Sequence, residues 1–258
     1  MKSIIITLAF LSFFPFFSFA EESHPIDTSH SSTKNVRIFE QRIYHRSANP
    51  RFRGHWSGFN LGFADFDIST DIVPGGNLDG WDLDRKNSLV MQFNLFQHSI
   101  RLNRLNNMGL VTGLGLEYQR FRFAGKNSIE RRANGCIDTY SIERAKKSSF
   151  KNLYLTIPLI FEWQFPASHY HRAYIGAGFM GGLRLHTKTK VIYRNENGDT
   201  RRLKHTGSYS MNPVKADAVV RVGFSKLALW GSYTLTHMME KNKAQEIHPY
   251  TIGFGVNF

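Results

Sequence analysis

Apolar and small or polar residues alternate with a period of two along most of this chain. The end is the plainest case. Tyr250, Ile252, Phe254, Val256 and Phe258 occupy every second position, with Thr251, Gly253, Gly255 and Asn257 between them. Successive side chains of a strand point to opposite faces, so such a segment has one greasy face and one small, polar face. The same pattern predicts strands over 55–66, 88–102, 110–123, 150–165, 171–186, 214–224 and 227–239, eight with the last.

The segment 150–165 is the clearest of them. Leu153, Leu155, Ile157, Leu159, Phe161 and Trp163 alternate with Asn152, Tyr154, Thr156, Glu162 and Gln164. Pro158 interrupts it and has no backbone donor, which predicts a bulge or a lost ladder bond. The connections run long, short, long, short, long, short, medium. An outer-membrane barrel sorts its loops in this way, with short turns on the periplasmic side. The reading is an all-β fold: an eight-stranded antiparallel up-and-down transmembrane β-barrel with short periplasmic turns and long extracellular loops. A soluble lipocalin-type barrel is the rival, and it would turn the apolar residues inward. Here the glycines lie on the polar face, which suits a narrow lumen.

The ends of the chain change the picture. Lys2, the apolar run from Ser3 to Phe19 and the small residue Ala20 have the layout of a secretory signal peptide over 1–20. Residues 21–54 are rich in Ser, His and Arg and read as a periplasmic segment of low order, with a short alternating stretch at 36–44 whose alternative is extra strands. The barrel then occupies 55–258. No apolar run after the first is long enough for a transmembrane helix. Cys136 is the lone cysteine, so an intrachain disulfide is excluded. The 33 Lys and Arg against 20 Asp and Glu would suggest nucleic acid in the cytosol. In an exported barrel they point instead to lipopolysaccharide phosphates or acidic glycans, and to outer-membrane lipid, with no nucleic acid.

Three segments resemble a known family: Gly54-His55-Trp56-Ser57-Gly58-Phe59-Asn60-Leu61-Gly62, Leu153-Tyr154-Leu155-Thr156-Ile157-Pro158-Leu159, and Thr251 through Phe258. Together they look like the outer-membrane β-barrel proteins of Bacteroidetes, including the PorT-like group. The resemblance covers about residues 54–258 and implies the bacterial outer membrane. It implies no chemistry and no cofactor. A barrel of this kind is expected to be monomeric and to meet the barrel assembly machinery through its C-terminal strand.

Candidate functional residues fall into four sets. Glu117, Glu162, Asp217, Arg184 and Arg221 lie on predicted inward faces, where charges need partners or water. They read as a structural network in a lumen just wide enough to be filled, with an ion path as the sharper alternative. Glu162 and Arg221 are expected near the periplasmic end, within pairing distance. Lys188, Lys190, Arg194, Arg201, Arg202 and Lys204 crowd one loop, predicted as a hairpin turning at Asn197-Gly198 and able to engage anions. The first loop is acidic, with Asp67, Asp71, Asp79, Asp82 and Asp84. His98, His186, His205, His237 and His248, with Ser88, Ser208, Ser210 and Glu246, could in principle assemble a triad. No spacing carries a catalytic signature or a metal site; His169 and His171 stand alone. The expected role is therefore non-enzymatic: structure, envelope interaction or surface binding. A lipid A-modifying enzyme and a secretion accessory are the alternatives.

Overall fold

The computed structural model describes residues 51–68, 81–125, 127–131, 137–141, 145–166, 172–194, 199–207, 209–240 and 244–258. The signal-like run, the stretch 36–44, Cys136, His169, His171, Asn197 and Gly198 lie outside them. Eight strands carry the barrel: β1 (Gly58–Ile68), β2 (Leu89–Arg101), β3 (Met108–Arg122), β6 (Ala145–Pro166), β7 (Arg172–Arg194), β9 (Val214–Phe224), β10 (Leu227–Thr234) and β11 (Ile247–Asn257). Each pairs antiparallel with the next, and β11 pairs with β1, which closes the sheet. Closure removes free edges from the layer that faces lipid. No helix among the described residues is long and apolar enough to cross a membrane.

All eight predicted strands are present. Two predicted strands overran: the 227–239 strand stops pairing at Thr234, with Met239 in a separate bridge to Met211, and the 55–66 strand pairs only from Gly58. The connections 102–107 and 225–226, the end of β6 and the start of β7 share one end with the start of β1 and the end of β11. The connection 225–226 is a two-residue hairpin between Phe224 and Leu227, with Ser225 at φ 55°, the left-handed conformation such turns require. The long connections share the other end and contain three more strands. A hairpin of β4 (Asn127–Arg131) and β5 (Ile137–Ser141) lies between β3 and β6, and β8 (Thr200–Thr206) pairs with the upper half of β7.

The apolar residues face out. On β6, Asn152, Tyr154, Thr156, Ile160, Glu162 and Gln164 are buried, while Ile157, Leu159, Phe161, Trp163 and Phe165 are exposed. This is the sidedness of a membrane barrel and excludes the lipocalin alternative. Outward aromatics mark both borders of the band: Trp163, Phe165, Phe224 and Phe258 at the short-turn end, and Tyr118, Tyr233 and Tyr250 at the other. Aromatic girdles of this kind sit at the two interfaces.

Pro158 causes no bulge. It pairs with Met180 on β7, and the ladder to β3 skips the positions between Leu159↔Thr112 and Thr156↔Gly115. The missing donor is thus absorbed as lost pairing on one side. Bulges lie elsewhere. Leu95 is an extra residue on β2 and Leu185 an extra residue on β7. Each places two successive residues outward and reverses the parity beyond it. His98, whose alternation in the sequence placed it inward, therefore faces out, and Gln97 faces in.

Candidate functional site

Described side chains occupy the lumen at three levels. At its centre the Lys215 amine lies 2.6 Å from Glu117 Oε1 and 2.5 Å from Asp217 Oδ2. Gln92 and Gln119 also donate to Glu117, at 2.8 and 2.6 Å, and Thr234 donates to Asp217 at 2.8 Å. Asn60 extends the chain by donating to Gln92 at 2.9 Å. The Lys215 amine sits 4.9 Å from the centre of the Tyr154 ring. Buried carboxylates keep their charge only with such partners. A cavity of about 10 Å³ beside Gln119, Tyr154, Lys215 and Thr234 has room for about one water.

Below this layer the chain itself enters the barrel. Residues 51–54, which the sequence assigned to the low-order segment ahead of the barrel, have a defined place at the lumen's periplasmic end. Phe52 and Trp56 pack against Val111, Ile160, Met180 and Val219. Gln97 Oε1 accepts from the backbone of Trp56 and Ser57 at 2.6 and 2.9 Å, and Gln164 donates to Arg53 O at 2.6 Å. Above the charged layer, loop residues Trp81, Phe123, Tyr209, Met211 and Met239 join Phe121, Phe150 and Trp230 of the wall in an apolar cap. Ile129 and Ile137 of the β4–β5 hairpin belong to the same cap.

The five lumenal charges named from sequence all point inward, Arg184 half-buried and the others buried. Glu162 does not form an ion pair with Arg221, which corrects that expectation. His55 Nδ1 lies 2.7 Å from Glu162 Oε1, and the His55 backbone N–H and Gln164 donate to the same carboxylate. Arg221 instead lies over the Trp56 ring at 5.2 Å and donates to Asn257 at 3.0 Å. Tyr174 stands between the two, stacked on His55 at 4.1 Å and bonded to Asn257. Lys215, the hub, was missed, although it shares its parity with Asp217 and Arg221. With it, three carboxylates (Glu117, Glu162, Asp217) face three cations (Lys215, Arg184, Arg221), so the lumen has no strong excess of either sign.

The outer rim carries the second set. β6 has 22 residues and β7 has 23, about twice the 9–11 needed to cross a bilayer. Their surplus projects as a ribbon with β8. In register, Lys188 opposes Thr206, Lys190 opposes Lys204, Ile192 opposes Arg202 and Arg194 opposes Thr200. These share the outward face. Arg201 opposes Tyr193 and lies on the other face, a correction to the grouping of all six basic residues. Lys190 is pulled below the ordinary lysine value, by desolvation first and then by the like charges of Arg202, Lys151, Lys204 and Lys188.

The family of outer membrane protein beta-barrel domains matches residues 56–239. The chain belongs to that family. Its closed barrel and outward apolar band place it in the outer membrane. No characterised protein sequence matches it significantly. Among solved structures it is similar to Ail, the attachment invasion locus protein of Yersinia pestis, at 13% identity over 80% of this chain and 100% of that one, with a TM-score of 0.32. Ail in complex with the heparin analogue sucrose octasulfate is similar at 15% identity over 78% and 97%, also at 0.32.

In this outer-membrane barrel the remaining candidates sit on the rim opposite the ribbon. His237 and His248 have ring centres 5.0 Å apart, and His237 Nε2 lies 3.7 Å from Glu246. His248 Nδ1 is 2.9 Å from Thr234 O, and Tyr233, stacked on His248, donates to Asp67 at 2.9 Å. Asp65 is bound by Arg85 and Tyr250. Of the serines named with these histidines, Ser88 donates to Asp84 O and accepts from Arg122 N–H, and Ser210 is buried, with its backbone C=O accepting from Glu240 N–H. Ser208 lies outside the described residues. Among the described residues no three His, Cys, Asp or Glu side chains are placed to hold a metal.

Proposed function

We propose that this is a non-enzymatic, non-conducting outer-membrane barrel whose working surface is the rim and ribbon above the membrane, in an envelope-interaction or surface-binding role. The observation that carries this reading is the lumen, packed with side chains at three levels, against a ribbon that projects its charges outward. A barrel of eight strands has an interior that side chains can fill completely. Glu117, Asp217 and Lys215 satisfy one another, so the central cluster acts as a strut between strands.

The same reading has the chain exported, cleaved after Ala20 and inserted as a monomer through its C-terminal strand. The Leu-x-Ile-Pro-Leu sequence of β6 supports placing it beside the PorT-like group of Bacteroidetes barrels. The direct test is reconstitution in planar bilayers. No stepwise current is expected. Regular conductance steps, or hydrolysis of purified lipid A by the folded protein, would overturn the reading.

A further inference from the structure

We propose that a belt of cations laid across β3, β6, β7 and β8, just above the apolar band, binds the phosphate groups of lipid A-type glycolipid in the outer leaflet. This deepens the surface-binding reading above and rests on it. The belt follows from strand register. Tyr118, Leu153 and His186 are cross-strand neighbours that end the apolar face on β3, β6 and β7. The next outward row is Arg120, Lys151 and Lys188. The row above contains Arg122, Ser149, Lys190 and Lys204, and the one above that Lys147, Ile192 and Arg202.

Neighbours within a row stand about 5 Å apart, and successive outward rows about 7 Å apart. Several cations therefore fall within reach of one phosphate. No Asp or Glu occupies an outward position in these rows. Arg122 has a distant partner in Asp84, at 3.8 Å. Lys190 and Lys204 directly oppose each other, an arrangement that destabilises a sheet unless something offsets it. The mutual repulsion already noted at Lys190 has the same origin. A bound anion supplies the missing negative charge.

Position selects the kind of anion. The belt faces away from the barrel axis, toward the lipid, and begins directly above Leu153, Leu155, Leu183 and Leu185. A molecule held there by its phosphates has its acyl chains against those leucines. Lys151, over the Tyr118 ring at 5.9 Å, and Arg120, which donates to Asn87 O at 3.1 Å, are anchored at this level. Bidentate guanidinium and clustered ammonium groups are the usual phosphate partners. A soluble glycan has no use for the leucine face.

The test uses the full folded protein in detergent micelles. It is titrated with bisphosphorylated lipid A, the same lipid with both phosphates removed, and inorganic polyphosphate. Binding of the phosphorylated lipid should be at least about tenfold tighter than that of the dephosphorylated one, and the gap should shrink with added salt. The triple variant Lys151→Glu, Lys188→Glu, Lys190→Glu should lose this preference, while Arg201→Glu, on the other face, keeps it. Heat-modifiable gel mobility checks that each variant is folded, and Lys151→Gln, Lys188→Gln, Lys190→Gln replaces any that is not. Equal affinity for the two lipids, an equal loss in Arg201→Glu, or polyphosphate binding as tight as lipid A overturns the proposal. Conductance or lipid hydrolysis would overturn the broader reading by a separate measurement.

Discussion

Lys215 on β9 reaches across the lumen to Glu117 on β3, with 2.6 Å between amine and carboxylate. Two strands, β6 and β7, separate them around the wall. Such a link fixes the cross-section of the barrel as well as the local pairing. Its strength comes from the network: removing one charge strands two others in a dry interior.

Replacing Lys215 by Met should therefore destabilise the barrel by about 3–5 kcal/mol, the range for breaking a buried pair. Adding Glu117→Gln and Asp217→Asn should restore most of the loss. Lys188→Met, on the exposed ribbon, should stay within about 0.5 kcal/mol of the parent. Urea unfolding in lipid vesicles, followed by tryptophan fluorescence, measures all three.

Two adjacent glycines should respond in opposite ways. A Cβ on Gly182 would lie 2.8 Å from Lys215 Cγ and 2.9 Å from Cε, whereas one on Gly181 meets nothing nearer than Ile157 O at 3.9 Å. Gly182→Val should destabilise by about 1–3 kcal/mol through overpacking, and Gly181→Val should be tolerated on the lipid face. The same unfolding assay decides. A harmless Gly182→Val would mean that the Lys215 stem is free to move.

Trp56→Ala should cost about 3–5 kcal/mol, as for other large core truncations, because it removes both the apolar plug and the ring beneath Arg221. It should not open a pore, since the apolar cap around Phe150, Trp230 and Met239 remains. Current steps from this variant in planar bilayers would show that the periplasmic plug alone seals the lumen.

Purified protein incubated with lipid A should release no fatty acid, because His237 meets Glu246 and His248 meets the Thr234 carbonyl. Mass spectrometry of the lipid is the measurement. Acyl release that disappears in His248→Ala would reinstate the enzyme.

Much of the fold was legible in the residues. Alternation located every barrel strand, and loop lengths assigned its ends, because both follow from the membrane's demand for a paired backbone and an apolar outer face. Inward parity also located Glu117, Glu162, Asp217, Arg184 and Arg221, and it could have located Lys215. Which inward charge meets which was not legible. Glu162 met His55 because residues 52–57 turn into the lumen, and no periodicity announces a plug. The β4–β5 hairpin was hidden for the same reason: its apolar residues pack on loops rather than on lipid.

The sequence by itself determined the number of barrel strands, the apolar outer face and the basic character of one long loop, because these depend on local alternation read against a lipid exterior. Tertiary structure decided which way the basic residues point. Arg184 faces the lumen, and unbroken alternation would have turned Lys188 and Lys190 to the same side. Leu185 is the extra residue that reverses them, near where β7 leaves β9 for β8. A bulge is a property of the pairing between two strands. Neither strand carries it alone, so only the assembled barrel could place those lysines beside the lipid.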